Sequence, residues 1–311
     1  MGCRLSALLL VLVPALAAAH PHRELVRDGA ARRFEIVGGA PDLRGNVLAR
    51  QVLPAVAAAP GAKAQSRVIY LNGGGATLRP GVNDAATQTS SIVTEATTIG
   101  GWDIDRGSWD QLVGCVQGMY SRWDVQVTDQ DPGAGVAHIE ALIGGSPLDL
   151  GLPDNVAGIS PFTEDCGIIE SSIVFTFTDI LDDNPQLVCE IISQEIAHSF
   201  GLDHELLAED PMTYLDYAGP RSFQDSMAHC GEFDQRDCGI NGNVCRKMQS
   251  SVQMLTARLG LAGDPGATTT QAAAAPTPGG CDAGRGAGSP AGLALVAIAL
   301  ARSRRCGRLR R

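Results

Sequence analysis

Apolar residues recur along this chain in two rhythms. Leu112, Val113, Val116, Met119, Tyr120 and Trp123 follow helical spacing and give one apolar helix face. Ser108, with Gln111 three residues on, has the form of a capping box and sets the expected start of that helix. Directly beyond it, Val125 and Val127 alternate with polar neighbours as a half-buried strand does. Residues 67–71, 138–143 and 172–178 are further strand candidates, the last rich in Ile, Val, Phe and Thr. The run Asn72, Gly73, Gly74, Gly75 closes the first of these. A second helix is predicted from Asn184 as N-cap and Pro185 at the first helical position, with Leu187, Val188, Ile191 and Ile192 as its apolar face. A third fits Met248, Val252, Leu255 and Leu259, with Gly260 as its stop. Strands interleaved with helices predict an α/β (α+β) domain.

Composition narrows the setting. A chain of 311 residues with 44% hydrophobic content can bury a substantial core. A net charge of −10 argues against nucleic acid, whose phosphates call for a basic face. Arg4, the apolar residues 5–16 and the small residues 15–19 form a signal peptide over 1–19, so the chain is expected to be exported. That apolar run is short of the about 20 residues a membrane span needs. Cys115, Cys166, Cys189, Cys230, Cys238 and Cys245 make an even set in the body of the chain. In an exported protein they predict disulfides rather than a zinc cluster, since none has CxxC spacing. Residues 20–65 show little periodicity and read as a propeptide or lead-in, ahead of a body over 66–262. An Ala/Thr/Pro/Gly linker follows over 263–280, then a tail over 281–311 with Cys281, an apolar stretch and terminal arginines.

The candidate chemistry lies in residues 193–204, SQEIAHSFGLDH. On a helix, Gln194 and His198 emerge on one face. Gly201 provides the turn that ends the helix and brings His204 back towards His198. Two imidazoles with a third donor form the three-ligand set of a catalytic zinc, and Glu195 stands where it can take a proton from water. An amide oxygen is a poorer zinc donor than imidazole. A loss of ~3 kcal/mol would weaken binding by roughly two orders of magnitude. His138 and His229 are alternative third ligands, although each reads better as a satisfied histidine.

Residues 194–204 resemble the metzincin metallopeptidase motif HExxHxxGxxH and depart from it at the first position, where Gln194 stands. Met212 and Tyr214, in Asp210-Pro211-Met212-Thr213-Tyr214, are similar to the family's methionine turn and the tyrosine near its metal. The resemblance implies a twisted mixed sheet over an active-site helix, with a small irregular lower subdomain tied down by Cys230, Cys238 and Cys245. It implies Zn2+ held by Gln194, His198 and His204, with Met212 beneath the metal. It further implies Glu195 as general base on a zinc-activated water, and Tyr214 as a donor to the oxyanion. The substrate would be a peptide or protein strand along the sheet edge, and the chain a monomer. The alternative is a metzincin-like surface module that binds peptide and cuts nothing. Separately, the tail resembles the myxobacterial C-terminal sorting tag, which implies a cell-surface (outer membrane) location with anchoring at the membrane surface.

Overall fold

The strands expected near residues 67–71, 138–143 and 172–178 lie in one mixed sheet, with helices on one face. The structure, a computed structural model, describes residues 22–27, 33–38, 46–55 and 65–263, all within the unit Met1–Thr270. The signal peptide over 1–19, the tail over 281–311 and all but the first residue of the linker lie outside the described residues.

The lead-in contributes β1 (His22–Arg27), β2 (Arg33–Gly38) and β3 (Val47–Leu53). Next come β4 (Val68–Asn72) and a small three-stranded sheet of β5 (Ala76–Pro80), β6 (Thr89–Ser90) and β7 (Thr97–Ile99). Helix α1 (Arg106–Tyr120) precedes β8 (Gln126–Thr128), β9 (His138–Ile143), β10 (Val156–Thr163) and β11 (Ile173–Thr176). Helix α2 (Pro185–Ser199), a two-residue ladder of β12 (Ala228–His229) with β13 (Met248–Gln249), and α3 (Ser251–Leu259) follow within the described residues. The main sheet has the order β1-β2-β3-β10-β11-β9-β4-β8. Strands β8, β4, β9 and β11 are parallel, and β10 runs antiparallel to β11. Strand β3 lies parallel to β10, and β2 and β1 extend from it as an antiparallel meander.

Both faces of the sheet are covered. Ile69, Leu71, Ile139, Ala141 and Val174 meet Leu112, Val116 and Tyr120 of α1 and Val188, Ile192 and Ile196 of α2. On the other face, Leu142, Ile159 and Phe175 pack with Leu78, Ile92 and Ile99 of the loops and small sheet. Burial on both faces explains why β3, within 20–65, shows no clean alternation. Residues 47–52 are all buried, so both sets of side chains meet protein and the period-2 signal disappears.

Two boundaries differ from the sequence reading. The N-cap of α1 is Asp105, whose side chain accepts the N–H groups of Gly107 and Ser108, whereas the expected cap Ser108 lies inside the first turn. A carboxylate at the positive end of the helix out-competes a hydroxyl for those donors. Helix α3 starts at Ser251, because Met248 pairs with His229 in the ladder and Ser250 caps the helix.

From Gly201 to Ser250 the chain has little regular structure beyond that ladder. All six body cysteines are paired, as Cys115–Cys189, Cys166–Cys245 and Cys230–Cys238. The first bond ties α1 to α2. Cys245 joins the irregular segment to the turn after β10 rather than to its near neighbours. No helix among the described residues is long and apolar enough to cross a membrane.

Candidate metal centre

Helix α2 begins as its sequence predicts. Asn184 accepts the N–H groups of Gln186 and Leu187, and Pro185 takes the position where no N–H is needed. The helix ends at Phe200, and Gly201 follows with φ +74°. A Cβ on Gly201 would lie 2.2 Å from the carbonyl oxygen of Cys166, so glycine serves both the left-handed turn and the close approach. That turn returns the chain so that His204 faces His198.

The two imidazoles meet through their Nε2 atoms, 3.0 Å apart. His198 Nδ1 lies 2.8 Å from the carbonyl oxygen of Leu202, and His204 Nδ1 lies 2.8 Å from Glu232 Oε1. Both partners are acceptors, so each Nδ1 carries the proton and each Nε2 presents a lone pair. Burial holds both rings neutral: His198 is pushed well below the ordinary histidine range, with His204 and the Arg50 cation adding to the effect. His204 is lowered by burial and Arg50, against the opposing pull of Glu232.

Glu195 lies on the same helix, 1% exposed. Burial raises its carboxyl to about 8, with Ser160 and Arg50 only partly opposing. Ser160 Oγ approaches the carboxyl without a hydrogen bond of good geometry, and Glu195 Oε2 and Gln194 Nε2 are both buried without a hydrogen-bond partner. Such orphans are costly in a core and common where a ligand completes the set. A half-turn of the Gln194 amide exchanges its nitrogen and oxygen, which puts the ligating atom in the orphan position. Gly158 of β10 makes room for the glutamate, since a Cβ there would meet Glu195 Oε1 at 2.8 Å. Nothing in the sequence marked that glycine.

Tyr214 is buried with its hydroxyl 3.4 Å from His204 Nε2. Met212 is buried against Ile196, Ala197 and Phe200, and its carbonyl accepts the N–H of Glu205. The structure thus brings His198, His204 and Tyr214 together and sets Gln194 and Glu195 on the helix face beside them. His138 lies on β9 beside Tyr70, with Nδ1 at 2.8 Å from the Val136 carbonyl. Neither it nor His229 joins a metal-ligating cluster among the described residues.

Around His204 lies an ion network that sequence reasoning missed. Asp203 is engaged by Arg50 Nη1 at 2.6 Å and by Arg236 Nη1 at 2.5 Å. Arg50 also pairs with Glu35 of β2, and Arg236 with Glu232. Burial opposes ionisation of Asp203 and of Glu232. The two guanidiniums outweigh it at Asp203, and His204 with Arg236 does so at Glu232, holding both carboxyls below the usual range. Glu35, His204 and Glu232 bring donor atoms within 4.8 Å of one another. Two guanidiniums already serve those carboxylates, so the grouping orients His204 rather than offering a second metal site. The signal for it was the bare fact of Asp203 beside a histidine, which does not name its partners.

Behind the site, Glu205 and Asp210 form a buried carboxyl pair. Burial, then the Asp210 charge, raises Glu205 to about 9, and burial raises Asp210 as well. The folded chain therefore keeps a proton that an unfolded Glu205 releases above its ordinary value of 4.5. Stability from this pair is full at acid pH and falls as pH rises towards about 9. Glu205→Gln is expected to flatten that alkaline limb, so that Tm declines less than in the parent between about pH 6 and pH 9. Thermal melts across that range check it, and equal slopes in the two proteins would rule it out.

No protein-family model matches the chain, and no curated protein matches it.

Proposed function

We propose that the chain is an exported zinc-dependent peptidase whose centre is Gln194, His198 and His204. One observation carries the reading: two neutral imidazoles present Nε2 lone pairs to each other at 3.0 Å, with both Nδ1 atoms committed elsewhere. Two lone pairs at that separation repel, and an electron-pair acceptor between them relieves the repulsion. The donor set suits zinc, which favours nitrogen ligands and accepts oxygen. When bound, zinc would polarise a water and favour the ionised form of Glu195.

The residues of the chain do the rest. Glu195 takes the proton of the attacking water and delivers it to the leaving amine. Tyr214 donates a hydrogen bond from its hydroxyl to the oxyanion, and Glu232 holds the His204 ring in the tautomer that leaves Nε2 bare. Three disulfides fit an oxidising destination, and anchoring at the cell surface through the arginine-rich tail belongs to the same proposal.

Glu195→Gln is expected to lower hydrolysis of a fluorescence-quenched peptide library by about 10²–10⁴-fold while zinc content stays unchanged. Undiminished turnover in that variant would remove Glu195 from the mechanism. Stoichiometric zinc without turnover in the parent would favour the second reading, a surface module that binds peptide without cutting it. The substitution of imidazole by Gln194 is the observation on that side.

A further inference from the structure

The free edge of a sheet is where an extended peptide adds as one more strand. Next to the candidate centre that edge belongs to β10, and β3 of the same chain already occupies it, paired from Val156 with Val47 to Thr163 with Leu53. Strands β1 and β2 pair only within the meander that leads to β3, so the lead-in joins the main sheet through this single strand.

Alternation along β3 divides its side chains cleanly. Val47 and Ala49 enter the core cluster on the sheet's far face, and Gln51 Nε2 donates to the Ser91 carbonyl. Leu48, Arg50 and Val52 point to the side of the centre. Leu48 packs with Ala157, Ile191 and Tyr214, and Val52 with Phe162, Cys166 and Ile240. Between these two apolar recesses the Arg50 guanidinium lies 4.5 Å over the Phe162 ring, 2.6 Å from Asp203 and 3.8 Å from Glu232. With β3 in place, Glu195, His198 and His204 are each 1% exposed.

The charges show what the recess itself selects. Within this recess Arg50 pairs with Glu35, which the lead-in also supplies. Asp203 and Glu232 are the carboxylates that the Arg50 guanidinium meets there, and both also pair with Arg236. A recess with two carboxylates and the face of an aromatic ring, flanked by two apolar pockets, matches a basic side chain between two aliphatic ones.

We propose that the β10 groove recognises extended peptides carrying Arg or Lys with an aliphatic residue two positions to either side, and that β3 is its resident intramolecular occupant. That such peptides are substrates, rather than ligands alone, rests on the peptidase reading above.

The test uses the full chain with a specific protease site replacing residues 56–61, nicked after folding so that both pieces remain present. A fluorescein-labelled peptide of residues 46–53, NVLARQVL, is added in excess and followed by fluorescence polarisation, with near-ultraviolet circular dichroism reporting the fold. The labelled peptide is expected to displace the resident strand. An unlabelled peptide with Lys for Arg should compete, one with Ala should be about ten- to a hundredfold weaker, and one with Glu should not compete. No exchange, or loss of the fold on exchange, would mean that β3 is a permanent structural strand and would overturn the proposal. Equal competition by the Ala peptide would also overturn it. Zinc content of the same samples keeps the two readings apart: exchange without zinc sinks the peptidase alone, and zinc without exchange sinks this inference alone.

Discussion

Replacing His198 with Ala is expected to abolish stoichiometric zinc binding, and Gln194→His to tighten it by about two orders of magnitude. Among the described residues His198 is one of two imidazoles at the centre, and its Nε2 is already directed at the other. Its loss leaves an amide and a single ring, too few good donors for a three-ligand site. Gln194→His restores an imidazole on the same helix face, one turn before His198, where the side chain is already buried. Metal content by mass spectrometry after exhaustive dialysis, with chelator competition for affinity, reads both effects. Zinc in the histidine variant alone would mean that the scaffold is intact while the natural centre stays metal-free, and the peptide-binding module would then be the better account. Zinc in neither would overturn the centre itself.

Arg50→Ala is expected to destabilise the chain by about 3–5 kcal/mol, the cost of removing one partner from a buried ion cluster. Arg50 donates through Nε to Glu35 at 2.9 Å and through Nη1 to Asp203 at 2.6 Å, and it is 1% exposed. Burial by itself works against its charge, yet the carboxylates around it keep the guanidinium firmly ionised. Truncation therefore takes away the cation that both acids face. Adding Glu35→Gln to Arg50→Ala is expected to recover part of the loss, since it removes the buried carboxylate whose ion pair with Arg50 the first change breaks. Urea unfolding under non-reducing conditions measures both proteins. A cost below about 1 kcal/mol for the single variant would place the pair in the range of solvated surface bridges and contradict its burial.

Local signals carried much of this architecture. Asn184 before Pro185 set the start of α2, and the spacing of Gln194, His198, Gly201 and His204 placed the candidate donors, because helix geometry and a left-handed glycine act over a few residues. The apolar stripe from Leu112 to Trp123 found α1, although its cap lay at Asp105, where a stronger acceptor won. The even cysteine set announced disulfides, but the pairing of Cys166 with Cys245 depends on two distant segments meeting.

By itself, then, the sequence determined the mixed α/β class and the helix that carries the candidate donors, both products of short-range spacing and side-chain chemistry. Only the tertiary structure decided what surrounds them. It fixed the tautomers through Leu202 and Glu232, placed Glu195 opposite Gly158, and laid β3 along the edge of β10 with Arg50 against Asp203. Those arrangements join residues up to 153 positions apart, as Arg50 and Asp203 are. Strand pairing and buried charge compensation are settled by the whole sheet's packing, which no local pattern encodes.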